Sequence, residues 1–248
     1  MGVEISVITV VYNGAKYLQG TIDSIRGQDY KNVEYIVIDG GSSDGTLEII
    51  EANARFISYW SSEPDTGIYD AMNKGIKAAS GEYVLFINAG DSLYEADTLS
   101  RAMLLAPEAD IIVGKTMLVD AHGNTLGERR LKPPLKLNWR SFSKGMLVSH
   151  QAFIARKSVT ALFDLSYRVS SDIDWCIRVM KASTHIENIG TFIARYLVGG
   201  LSRQQTLLAW KERFFIMVKH YGLIKALTSH VLIIFRFTFY FAKTRNLD

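Results

Sequence analysis

An α/β fold with a mixed, mainly parallel sheet flanked by helices is the fold class this sequence predicts, and three observations predict it. Short runs rich in Val and Ile alternate with amphipathic stretches over the first 114 residues, the order that produces parallel strands joined by crossover helices. The runs stop at clusters of Gly, Ser and Asp, residues that break a strand and turn the chain. At 248 residues, 48% hydrophobic and 21% charged, the chain is long enough to bury a core without forcing a second domain.

The elements follow in order. Ile5 to Val11 reads as a buried strand, Lys16 to Arg26 as a helix and Val33 to Ile38 as a second strand; Asp39 to Asp44 is a Gly/Ser turn into a helix from Gly45 to Ala52. Phe56 to Trp60 is a third strand and Ile68 to Ala79 a helix. Glu82 to Ile87 alternates and then runs apolar, a buried strand that Asn88, Ala89, Gly90 and Asp91 end abruptly. A helix over Ala96 to Leu105 and a strand over Asp110 to Gly114 complete the alternation. Beyond Lys115 the pattern changes. Thr116 to Asp120 and Thr125 to Arg130 flank a turn as in a hairpin, and Lys132 to Lys144 is a loop with adjacent prolines. Gln151 to Ala155 reads as a strand, Ile173 to Lys181 as a helix, and His185 to Asn188 and Phe192 to Val198 as two short strands before a long helix from about Gln205.

Composition narrows the class. A single cysteine, Cys176, excludes an intrachain disulfide framework and a multi-cysteine zinc site. The first residues start a strand with no basic n-region or cleavage site, so a cytoplasmic protein is expected. Residues 201–248 carry eight Lys or Arg against two acids, a balance of +6, whereas the first 200 hold 20 against 23, a balance of −3. Ala226 to Ala242 is a mainly apolar run whose only charge is Arg236, at the lower edge of what spans a bilayer, and a central arginine opposes spanning. The aromatics lie in an aliphatic run and not in a basic groove, which disfavours nucleic acid. Basic flanks and aromatic clusters suit a helix lying in the inner face of the cell membrane; a helix packed on the protein itself or on a second copy is the alternative.

The chemistry-bearing residues sit where strands end. Asp39 closes the second strand ahead of Gly40, Gly41, Ser42, Ser43, Asp44, Gly45 and Thr46, placed to accept hydrogen bonds from a nucleobase or ribose. A carboxylate at the strand edge, Asp91, suggests a magnesium or manganese site for a nucleoside diphosphate. A dinucleotide site is disfavoured, because the first strand leads into Tyr12, Asn13 and Gly14 and not into a G-x-G-x-x-G turn. Near residue 172, a serine at 170 or 171 is placed to cap a helix; Asp172 and Asp174, two residues apart, face different ways, so only one can point into a site.

Together these motifs resemble the family 2 glycosyltransferases. The resemblance covers residues 4 to 203: Tyr12 and Asn13 after the first strand, Asp39 with its turn, Asn73 followed by Gly75, and the turn at Asp91. The phrase SEPDTGIYDAMNKG, His150-Gln151-Ala152, Val169 to Asp172 and Gly199 to Ser202 are similar to the bacterial subgroup of colanic acid, capsule and O-antigen assembly. The resemblance implies a GT-A (Rossmann-like) fold in which Thr9, Val11 and Tyr12 line the nucleotide pocket, Asp39 reads the base, and Asp65 and Gly67 close the pocket. Relatives carry Asp-Ala-Asp-Asp where this chain has Asn88, Ala89, Gly90 and Asp91, so Asn88 is expected to bond the ribose beside Ala89 and Asp91 to bind the metal. Asp172 takes the position of the general base. His150 and Gln151 are expected under the acceptor or donor sugar, and the Gly199–Gly200 pair is placed to hinge a lid over the diphosphate.

Sugar transfer from a nucleoside diphosphate needs the departing diphosphate stabilised, a task for a divalent cation (Mn2+ or Mg2+), and one base for the acceptor hydroxyl. A glycosidase would need two cooperating carboxyls. One base candidate fits a transferase better, and the resemblance implies an inverting hexosyltransferase. It would use a UDP-, GDP- or dTDP-linked sugar and a lipid-linked saccharide acceptor in bacterial surface polysaccharide biosynthesis, peripheral at the cytoplasmic membrane surface. Residues 1–204 form the transferase domain, with 1–114 binding the nucleotide sugar and 115–204 the acceptor, and 205–248 form the tail. The alternative, prompted by Asn88 and Gly90, is a nucleotide-sugar-binding or scaffold protein of the same fold with weakened catalysis. A nucleotidyltransferase lacks its Gly-rich basic loop here.

Overall fold

The computed structural model describes residues 4–199 and 205–232. The Gly200 hinge position, Ser202, Arg203 and the apolar tail beyond residue 232 lie outside the described residues. Nine strands form one sheet in the order β3-β2-β1-β4-β8-β6-β9-β5, with β7 paired to β6. The first four are β1 (Ile5–Val11), β2 (Val33–Asp39), β3 (Tyr59–Ser62) and β4 (Tyr83–Phe86), and neighbours among them pair in parallel. Helices α1 (Ala15–Arg26), α2 (Thr46–Ala52) and α3 (Ile68–Ala78) make the crossovers. A fourth helix, α4 (Thr98–Leu105), follows the two-residue strand β5 (Ser92–Leu93), which the sequence reading did not foresee.

The central strands are apolar throughout because both their faces are covered: all seven residues of β1 and all four of β4 are buried. Helix α3 approaches β1 closely. A Cβ on Gly75 would stand 2.4 Å from the Ile8 side chain, so only glycine allows this packing.

The second half departs from the expected pattern in ways that matter for the site. Asp110 to Gly114 and Thr116 to Asp120 are a single strand, β6 (Ile111–Val119), and the two short strands near its partner are one long strand, β9 (Ile186–Leu197). Register shifts between Val113 and Thr116 carry the β6–β9 ladder past the glycines that read as breaks. The expected hairpin is present as β6 with β7 (Thr125–Glu128). The Gln151 start of the next strand is instead a 3-10 turn, His150–Ala152, leading into β8 (Phe153–Arg156). The third strand begins at Tyr59 and not at Phe56.

Strand β8 runs antiparallel to both β4 and β6, and β6 parallel to β9. The C-terminal ends of β1, β2, β3, β4 and β9 and the N-terminal end of β8 therefore meet at one edge of the sheet, the edge where open α/β sheets bind ligands. Helix α5 (Ser171–Ala182) packs there through the fully buried Trp175. Its ring lies 5.7 Å from Phe86, 5.4 Å from Phe153 and 4.9 Å from Phe163, an aromatic cluster that fixes the first turn of α5 over the strand ends.

The expected long C-terminal helix is two helices. The first, α6 (Thr206–Tyr221), ends at Gly222, and residues 223–232 form the second, α7. Among the described residues no helix is long and apolar enough to cross a membrane.

Candidate active site

Val11, Tyr12, Asp65, Gly67, Asn88, Ala89, Asp91, His150, Gln151 and Asp172 all line one cavity of about 820 Å³ at this sheet edge. The topology thus gathers most of the residues singled out in sequence. Two it does not bring to the cavity wall. Thr9 is fully buried, its hydroxyl donating to the Ile87 carbonyl (2.7 Å) and accepting from Tyr35 (3.1 Å). Asp39 is also fully buried. Its carboxylate accepts from the Gly41 and Ser42 backbone N–H groups (3.1 and 3.0 Å), the Ser42 hydroxyl and the Ser62 hydroxyl (2.6 Å). The turn after β2 and the end of β3 occupy that carboxylate.

Asp172 lies in the first turn of α5 with 17% of its side chain exposed. Tyr69 of α3 donates its hydroxyl to Oδ1 (3.3 Å), and His150 Nδ1 stands 3.4 Å from Oδ2. Burial pushes the carboxyl pKa up, but the His150 hydrogen bond and charge, Arg213 and the Ile173 N–H outweigh it and hold Asp172 below the usual carboxylate range. Asp172 is ionised at neutral pH. The Tyr69 hydroxyl is pushed up by burial and by Asp172, so it remains a donor.

Asp174 faces the other way, as two residues' spacing on a helix requires. It is fully buried among Arg178 (2.6 Å), Lys219 (3.0 Å) and His220 (2.7 Å) of α5 and α6. These partners overcome its desolvation and hold it far below the usual range. Ser170 stands at the N-cap of α5, but neither it nor Ser171 caps with its side chain: Ser171 donates to the Asp164 carbonyl (2.8 Å) and Ser170 to the Ala209 carbonyl (3.4 Å). The loop entering α5 is held by Glu212 of α6, whose carboxylate accepts from the N–H groups of Arg168, Val169 and Ser170 at 2.7, 3.0 and 2.9 Å.

On the β4 side, Asp91 is 5% exposed; its Oδ2 accepts from Gln151 Nε2 (2.7 Å) and its Oδ1 from the Leu197 N–H (3.0 Å). Burial raises its pKa to about 6 against these two donors and His150. Asn88 Nδ2 is 3.2 Å from His150 Nε2, while Asn88 Oδ1 is buried without a hydrogen-bond partner. Asn88, His150 and Asp172 thus form a chain across the site. Gly90 has φ +98, a conformation that strains any residue with a side chain, and a Cβ there would also press on the Leu197 side chain at 2.9 Å.

Among the described residues no group of three His, Cys, Asp or Glu could hold a metal ion. The hard donors in the turn after β4 are one carboxylate, Asp91, and the unpartnered amide oxygen of Asn88. Such a set fits a small divalent cation only when phosphate oxygens and water complete its shell, as is usual for Mg2+ at nucleotide sites.

Sequence reading missed Tyr69, Arg129, Tyr196, Leu197 and Arg213, which also line the cavity. Tyr69 stands within the quoted SEPDTGIYDAMNKG phrase yet reads as an apolar-face residue of an amphipathic helix; Arg129 and Arg213 carry no signal beyond charge.

The sequence profile described as Glycosyl transferase family 2 matches residues 6–163. An uncharacterized glycosyltransferase of Mycobacterium tuberculosis is 33% identical over 183 residues, covering 70% of this chain and 68% of its own. A PGL/p-HBAD biosynthesis glycosyltransferase of Mycobacterium bovis is 34% identical over 184 residues, with the same shares. Among solved structures, S. aureus TarS 1–349 in complex with UDP superposes with a TM-score of 0.70 at 21% identity, over 87% of this chain and 64% of that one. The chain spans 39% of a longer TarS chain. A mannosyltransferase from Pyrobaculum calidifontis in complex with GDP-Man and Mn2+ gives 0.65 at 15% identity, over 92% and 74%.

Proposed function

The chain belongs to glycosyl transferase family 2, and from that premise we propose that it transfers a sugar from a nucleoside diphosphate to a saccharide hydroxyl with inversion, Asp172 acting as the base. The fold is that of GT-A glycosyltransferases. The observation that carries the reading is Asp172: an ionised carboxylate aimed into a large cavity at the ligand-binding sheet edge, its orientation fixed by Tyr69 and His150.

In the proposed reaction the acceptor O–H gives its proton to Asp172. The freed oxygen pair forms a bond to the anomeric carbon, and the bond from that carbon to the β-phosphate oxygen breaks, its electrons leaving with the nucleoside diphosphate. His150 steadies the carboxylate that takes the proton, and the nucleotide lies along Val11, Tyr12, Asp65 and Gly67. Asp91 and Asn88 would hold a divalent cation together with the diphosphate, and that cation would supply positive charge to the leaving group.

The biological setting is also a proposal. Relatives named for PGL/p-HBAD biosynthesis and the exposed apolar faces of α6 and α7 favour a lipid-linked acceptor at a membrane surface. Leu207, Phe215, Leu223, Ile224, Leu227 and Val231 are exposed, while Ala226 and Ser229 face inward, and Lys211 and Lys225 add charge suited to anionic lipid. Sedimentation with anionic vesicles should carry the full chain down and leave a chain lacking residues 226–248 in solution; equal recovery of the two would remove the tail from membrane binding.

The donor site is tested by scanning thermal stability with UDP, GDP, dTDP and CMP, each with and without Mn2+. A ligand of the native state raises the midpoint; no shift with any of them would sink the reading. Midpoint shifts without turnover of any donor would favour a binding protein, the reading that Asn88 and Gly90 support.

A further inference from the structure

Two arginines reach the cavity from elements far apart in sequence. Arg129 directly follows β7, and Arg213 projects from the third turn of α6; both line the cavity that Asn88, Asp91 and Asp172 also line. Among the described residues, no carboxylate lies within 4 Å of either guanidinium. The acid beside each is engaged elsewhere: Glu128 pairs with Lys132 at 2.5 Å, and Glu212 accepts from the backbone of residues 168–170. Because Glu212 fastens α6 to the loop entering α5, the place from which Arg213 projects is set by the same side chain that holds the base's loop.

Two like charges facing one cavity repel. Burial and Arg213 both act to hold the Arg129 guanidinium below its ordinary range, with Asp172 opposing them. A ligand carrying two or more negative charges removes that repulsion, and the planar guanidinium fork matches phosphate oxygens in pairs.

We infer that Arg129 and Arg213 form a two-guanidinium site for a diphosphate, supplying positive charge where Asn88 and Gly90 leave cation binding with a single carboxylate. The inference rests on the proposed transferase reading. The donor and a lipid-linked acceptor can both present a diphosphate, and the experiment separates them.

The full chain and the variants R129Q, R213Q, R129K and R213K are titrated with UDP, UMP and inorganic pyrophosphate, with divalent cations removed by chelation. The wild type should bind UDP at least tenfold more tightly than UMP, and each Gln variant should lose most of that preference while the Lys variants recover part of it. Pyrophosphate affinity should fall in parallel. Unliganded thermal midpoints identify any variant that fails to fold, and R213Q, at an exposed position, decides if R129Q does. If UDP binding is unchanged but the KM for a diphospholipid-linked saccharide rises tenfold or more, the site serves the acceptor. If UDP, pyrophosphate and acceptor all behave as in the wild type, the inference is overturned. A wild type that binds no nucleotide but binds pyrophosphate through these arginines would break the donor reading alone.

Discussion

The turn after β2 and the edge formed by β4, β8 and α5 both present carboxylates at strand ends, and they have opposite fates. At the first, Asp39 spends both oxygens on four donors, three in its own turn and one, Ser62, at the end of β3. At the second, Asp172 is part exposed and held by one backbone N–H, that of Ile173 at 3.0 Å, and two longer side-chain contacts, and Asn88 keeps a buried oxygen without a partner. Unspent hydrogen-bonding capacity marks a place built for a ligand, whereas a satisfied network serves the fold. A carboxylate in a Gly-rich turn looks the same in sequence in either case.

The largest expected effect sharpens this contrast. Asp172→Asn preserves shape but cannot accept the proton, so turnover should fall about 10³-fold, within the range for a positioned base, with UDP affinity unchanged by calorimetry. Retained turnover would take the base away from this helix. Asp39→Ala tests the other side. Four donors lose their acceptor, and stability should drop by about 3 kcal/mol, a fall of roughly 6–12 °C in thermal midpoint. An unchanged midpoint with lost nucleotide affinity would show that Asp39 reads the base after all.

The smallest expected effect concerns Asp91, which combines features of both regions. Its pKa is raised from 3.8 to about 6 by burial, so between those values the folded protein binds more protons than the unfolded chain. Stability from this group is therefore present at low pH and is lost as pH rises through about 6, by up to about 3 kcal/mol at 1.36 kcal/mol per unit. The midpoint of Asp91→Asn minus that of the wild type should become more positive between pH 4.5 and 7.5. A flat difference would mean that Asp91 titrates normally.

The sheet was legible because buried parallel strands write themselves as Val- and Ile-rich runs, as β1, β2 and β4 do. Reading failed where a glycine lies within a strand: β6 and β9 each continue through residues that resemble a turn, because the paired strands shift register together. In the site, helix geometry shows that only one of Asp172 and Asp174 can face the cavity, and the family resemblance singles out Asp172. Arg129 and Arg213 were not legible, since their meeting depends on how a hairpin end and a C-terminal helix dock, and that packing has no local pattern.

The boundary that composition draws near residue 204 separates an acidic body from a basic tail, but hydrogen bonding ignores it. Three successive amides ahead of the base find their acceptor eight residues past that boundary, on Glu212. A chain shortened at 204 would leave them with water or with nothing, and Asp174 would lose Lys219 and His220 as well. Whatever grips the tail from outside has a short mechanical route to the first turn of α5.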